Sequence, residues 1–224
     1  MNSDKNRFVL YMAVFFVVWS VRTVFLIPYV AKTFAEPVIV ESIRNLTKIF
    51  IWIAPLYLYL KFFERISPYY YLKIDDRILR GIGLGIAAGI AFFAFRFMAG
   101  IFSGSDQLFK TPFIGDIVGG VIFAGIIEEP FFRGFVLQKL QGFASFWKAN
   151  FIASFLFALS HMPSWIYHGD NNIFADGLNV LVFGLFLGWL FKRTGSLWSA
   201  IVFHSAYNLA TLVITGNCHN PRLN

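Results

Sequence analysis

The chain has 224 residues, 58% hydrophobic, 20% aromatic and 14% charged, with 29 phenylalanines and a formal net charge of +7. Average soluble domains are about a quarter charged, so this composition, with a mean hydropathy of +0.65, excludes a soluble domain, a disordered chain and a disulfide-stapled one. Lipid is the solvent that accommodates the excess of apolar surface, and the expected fold is an all-α polytopic transmembrane helical bundle of about seven spans.

Seven apolar segments follow in chain order, at 8–31, 46–63, 78–102, 113–138, 146–162, 173–191 and 196–215. The first follows Lys5 and Arg7 in the manner of a signal peptide. It runs past Arg22 to Val30 without an A-x-A cleavage site and reads as a retained span. Residues 32–48, with Pro37 and mixed charges, read as a loop. The basic stretch 61–80 reads as another, with an interfacial helix at Tyr69, Tyr70 and Tyr71, aromatics that suit the headgroup zone. Gly81, Gly85 and Gly89 recur at i+4, as do Gly184 and Gly188; small residues one turn apart let helix backbones approach closely. The chain divides into an N-terminal region of three spans (1–112), a core (113–215) and a short tail (216–224). Cys218, the lone cysteine, has no disulfide partner within the chain and no CaaX arrangement.

The basic residues fall mostly in loops, which favours topology over nucleic acid as the meaning of the net charge. With the N-terminus inside, the inner segments hold Lys5, Arg7, Lys61, Arg65, Lys73, Arg77, Arg80, Lys139, Lys148, Lys192 and Arg193. The outer ones hold Lys32, Arg44, Lys48, Lys110 and Arg222. Eleven against five predicts an inside N-terminus.

Ionisable groups inside spans cost about 2.5–3.5 kcal/mol each on the insertion scale and mark function by default. Arg22 and Arg96 are isolated and read as structural. The C-terminal half is different. Glu128-Glu129-Pro130-Phe131-Phe132-Arg133 breaks the fourth span, Phe157 to His161 the fifth, and His204 to Asn208 the seventh. At about 1.5 Å per residue, Glu128, His161 and His204 lie about 15, 21 and 12 Å from the inner ends of their spans, so three spans bring polar groups to overlapping depths. Glu129 and Arg133 are i, i+4 and can pair. Glu128 points about 100° away, where its own helix offers no cation. Pro130 frees the carbonyl of Ile126 and favours a kink. His204 and Asn208 share one face. A buried polar network that merely fixes packing is the plainer alternative.

The motifs E-E-x-x-x-R (Glu128, Glu129, Arg133), F-x-x-x-H (Phe157, His161) and H-x-x-x-N (His204, Asn208), in that order on successive membrane segments, resemble those of the CAAX protease and bacteriocin-processing enzyme family, also called Abi. The resemblance covers about residues 113–212 and implies an intramembrane glutamate-dependent endopeptidase. Mapped onto this chain, Glu128 would be the general base on water and His161 would help hold that water. His204 and Asn208 would form the oxyanion site, with Glu129 and Arg133 in support and Phe157 packed one turn from His161.

That assignment is chemically reasonable. Desolvation in an apolar cavity raises a carboxylate pKa towards the range where a general base works best, and oxyanion donors in a dry site are worth about 2.7–4 kcal/mol each. No cofactor is needed. A zinc reading would take His161, His204 and a glutamate as a His₂Glu set, but no H-E-x-x-H places two ligands on one helix. His168 and His219 read as ordinary surface residues. The implied partners are a membrane-embedded peptide or protein substrate, with or without a lipid, and the bilayer itself; no nucleic acid is expected. The implied location is the bacterial cytoplasmic membrane. Competing functions are a non-catalytic membrane protein of bacteriocin-immunity or regulatory type, and a small transporter, which internal symmetry would have suggested and which this chain lacks.

Overall fold

The computed structural model of the chain describes residues 2–102, 111–112 and 114–215. Lys110 and the tail 216–224, with Cys218, His219 and Arg222, lie outside the described residues. Among the described residues there is no strand. Eight helices and one helical turn (Pro68–Tyr71) form: α1 (Asp4–Thr33), α2 (Pro37–Phe63), α3 (Ile78–Phe102), α4 (114–141), α5 (Phe146–Leu159), α6 (Met162–Tyr167), α7 (Ile173–Thr194) and α8 (Leu197–Thr215).

Five of these, α1, α2, α3, α7 and α8, are long and apolar enough to cross a membrane. The other two expected spans form helices that fall short by that measure. Helix α4 carries Asp116, Glu128, Glu129 and Arg133. Helix α5 has 14 residues, about 21 Å of rise against a hydrocarbon core of about 30 Å. The outer surface is apolar, with Leu79, Phe102 and Phe174 all more than four-fifths exposed, as suits side chains solvated by lipid.

Three local readings change. The expected loop 32–48 contracts to residues 34–36, because α2 begins at Pro37. Proline fits the first helical turn, where its missing N–H is not needed. The expected fifth span ends early, at Leu159. His161 therefore sits in the break before α6, whose second residue is Pro163. The helix at Tyr69, Tyr70 and Tyr71 shrinks to one turn. Tyr69 and Tyr70 are exposed, whereas Tyr71 packs near Phe135, and burial pushes its hydroxyl pKa up.

The i+4 glycines do bring helices together. On α3, a Cβ at Gly85 would lie 2.8 Å from Val202 and one at Gly89 2.5 Å from Ala206, so α3 lies directly against α8. On α7, a Cβ at Gly184 would lie 2.9 Å from Ser154 on α5. Helices α1, α2 and α4 are joined instead by aromatic rings. Phe131 stacks on Phe15 at 4.3 Å, and Trp52 meets Phe15, Phe131 and Phe132 within 5.5 Å. Offset and edge-on pairs of this kind add about 0.5–1.5 kcal/mol each beyond their buried area. The consequence is a rigid wall on which α2 presents Lys48, one turn before Trp52.

Candidate active site

Three π-helical stretches, Arg22–Leu26, Ile117–Phe123 and Pro130–Leu137, interrupt α1 and α4. Pro130 opens the last of them. It cannot donate to the carbonyl four residues back, and the helix widens there to i→i+5 bonding. Widened turns of this kind leave backbone carbonyls available. Gly120 lies in the second stretch, and its carbonyl accepts a hydrogen bond from Asn208 Nδ2 at 2.7 Å.

These elements line a cavity of about 160 Å³. Glu128, His161, His204 and Asn208 all line it, from α4, the α5–α6 break and α8. Glu129 and Arg133 do not line it; they lie behind it, fully buried. Arg133 Nη1 donates to Glu129 Oε1 at 3.1 Å, and Arg133 Nη2 donates to the Gly184 carbonyl at 3.2 Å. The Arg133 guanidinium also rests 4.5 Å from the centre of the Phe157 ring. Phe157 in turn meets His161 at 5.0 Å and His204 at 6.1 Å, so one ring touches the guanidinium and both histidines.

The two imidazoles are oriented by the nitrogen that faces away from the cavity chemistry. His204 Nδ1 lies 2.6 Å from Glu129 Oε1, a carboxylate that only accepts, so Nδ1 carries a proton. His161 Nδ1 lies 2.9 Å from the Phe157 carbonyl and donates to it for the same reason. Trp19 Nε1 donates to the Ser160 carbonyl at 2.7 Å and anchors the break that carries His161 to α1.

Two residues on the cavity wall escaped the sequence reading. Lys48 Nζ lies 2.5 Å from Glu128 Oε1, so Glu128 has a cation after all, from α2 rather than from its own helix. The signal was present: Glu41, Arg44, Asn45 and Lys48 fall at i, i+3, i+4 and i+7 and share a face once 37–48 is helical. Glu41 and Arg44 pair at 2.7 Å on that face. His168 is the second. It lines the cavity and is half-buried, where burial and then Arg44 push its imidazole pKa down. Arg22, read as structural, also lines the cavity. It donates to Thr47 Oγ1 at 3.2 Å and to the Arg44 carbonyl at 2.6 Å.

Among the described residues, no three His, Cys, Asp or Glu side chains are grouped so as to hold a metal ion.

A bundle of apolar helices around a cavity walled by acids, histidines and an amide defines an integral membrane protein with a polar site among its helices. Residues 110–210 match the family described as Type II CAAX prenyl endopeptidase Rce1-like. Over 153 residues, 63% of this chain, the sequence is 30% identical to a protein of Methanococcus maripaludis named CAAX prenyl protease 2. The chain spans about half the length of that curated relative, 54%. No solved structure matches. The matched stretch contains all three motifs, and it is by this stretch that the chain is similar to the CAAX prenyl endopeptidases.

Proposed function

We propose that this protein is an intramembrane endopeptidase that hydrolyses a peptide bond of a membrane-associated, lipidated or unlipidated, peptide or protein by a glutamate-activated water. The observation that carries this reading is the convergence of Glu128, His161, His204 and Asn208 on one cavity, with Glu129 and Arg133 behind it. Water sits between Glu128 and His161 and attacks the scissile carbonyl carbon while its proton passes to Glu128. The carbonyl oxygen becomes an oxyanion opposite His204 and the second N–H of Asn208. Glu129 supplies the counter-charge for an imidazolium at His204. The C–N bond then breaks, and the proton held by Glu128 goes to the leaving amine. Each oxyanion donor is worth about 2.7–4 kcal/mol in such a site. The test is incubation of the purified protein with farnesylated and unmodified C-terminal peptides, with products read by mass spectrometry. Cleavage of neither set would leave the non-catalytic alternative.

Metal plays no part in this scheme. Turnover is expected to survive exhaustive chelation, and metal analysis of active protein is expected to find no stoichiometric zinc. Reversible loss of activity with one bound zinc would sink the metal-free mechanism.

The proposed setting is the cytoplasmic membrane of a bacterium, with the N-terminus and the segment 61–80 inside. Arg44 and Lys48 now fall within α2 and line the cavity, so they leave the outer tally, and the inward bias of the remaining basic residues grows. Cysteines placed in 61–80 on a Cys218-free background should be shielded from an impermeant thiol reagent in intact cells. Outside labelling there would invert the topology.

A further inference from the structure

We propose that Lys48 is a positioning residue for Glu128, so that a helix outside residues 110–210 completes the hydrolytic site of this chain. The inference rests on the endopeptidase reading and adds to it a role for α2.

Lys48 and Glu128 are 80 residues apart and both line the cavity, with an ammonium-to-carboxylate distance of 2.5 Å. Their side chains are 15% and 9% exposed, so water screens the pair little. Neither has another acid or base in reach of equal claim. Glu41 is engaged by Arg44, and Glu129 by Arg133 and His204. The Lys48 ammonium also lies 5.5 Å from the centre of the Trp52 ring. That ring is clamped by Phe15, Phe131 and Phe132, and Trp52 is only 1% exposed. Cation–π contact with a fixed ring holds the flexible lysine stem in one place.

The charged groups facing Glu128 are then Lys48 from α2, His204 from α8, His161 from the α5–α6 break and Arg133 from its own helix. Lys48 is the one in direct contact. An ammonium fixed on Oε1 leaves Oε2 to accept the proton of water. It also favours the ionised carboxylate before attack. Once Glu128 holds the proton, the buried ammonium has lost its counter-charge, which favours passing that proton to the amine nitrogen as the C–N bond breaks. Lys48 gains and loses no atom in the cycle.

The experiment compares wild-type protein, Lys48→Met, Lys48→Arg and Glu128→Gln in the same peptide assay, with melting temperatures for the two single variants Lys48→Met and Glu128→Gln and for the double variant. Lys48→Met is expected to lower kcat by about tenfold or more, with KM changed less, since it weakens a general base worth about 10²–10⁴-fold. The acid limb of its rate profile should move to higher pH. Lys48→Arg should restore part of the loss. The thermal effect of Lys48→Met should shrink when Glu128 is already glutamine, because contacting residues are not additive. Lys48→Met with wild-type kcat and an unmoved acid limb overturns the proposal and leaves the endopeptidase intact. Additive thermal effects overturn it as well, whatever the turnover. A wild-type protein that cleaves nothing overturns the endopeptidase reading itself, and with it any part for Lys48 in hydrolysis.

Discussion

Glu128→Gln is expected to fold and to lose turnover by at least about 10²-fold, the low end of what a general base contributes. The amide keeps the size of the carboxyl group but cannot accept a proton from water. Folding should survive because Glu128 borders a cavity rather than the packed core, and the ammonium keeps the amide oxygen of glutamine and the Trp52 ring as contacts. Single-turnover cleavage measured beside the melting temperature separates the two quantities. Near wild-type cleavage by Glu128→Gln would remove it as the base and return the role to its neighbour.

Glu129→Gln is expected to be the most destabilising conservative change at the site. Glu129 is fully buried, and one of its oxygens accepts from both Arg133, at 3.1 Å, and His204, at 2.6 Å. Removing one partner of a buried ion pair costs about 3–5 kcal/mol, because it leaves the other charge uncompensated in a medium that cannot solvate it. Arg133 has the Gly184 carbonyl and the face of Phe157 as further contacts, but neither carries a negative charge. The melting temperature should therefore fall further for Glu129→Gln than for Glu128→Gln. Activity should fall too, since His204 loses the carboxylate that orients its ring. The reverse order of melting temperatures would mean that the Glu129–Arg133–His204 group contributes less to the fold than its burial implies.

The difference between these adjacent acids shows where sequence reasoning reached. Their different settings follow from helix geometry alone. Residues four apart meet and successive residues diverge by about 100°, which pairs Glu129 with Arg133 and turns Glu128 elsewhere. The coming together of Glu128, His161 and His204 on one cavity also agrees with the depths estimated from the chain. The glycine spacing on α3 and α7 marked the close helix contacts correctly, because only backbone periodicity was involved. Composition determined the helical membrane fold, since a chain this apolar has no other way to satisfy its backbone in lipid.

What the linear chain did not disclose was who answers Glu128. In the linear chain Lys48 reads as part of a loop, because Pro37 and the charges around it resemble a break, although proline at the first turn of a helix is equally a start. Its partner is 80 residues away, and no local periodicity links residues on different helices. The break at His161 was likewise hidden, since an apolar run looks continuous whether or not the helix through it ends at Leu159. His168 gave no sign of lining the cavity, because its place depends on how the turn after α6 folds back towards Arg44. The sequence by itself determined the class of fold, the motifs and the faces they occupy, since these depend on composition and on the period of one helix. Only the tertiary structure decided which charges meet across helices, because those contacts are set by the packing of aromatic walls and glycine seams that no single segment contains.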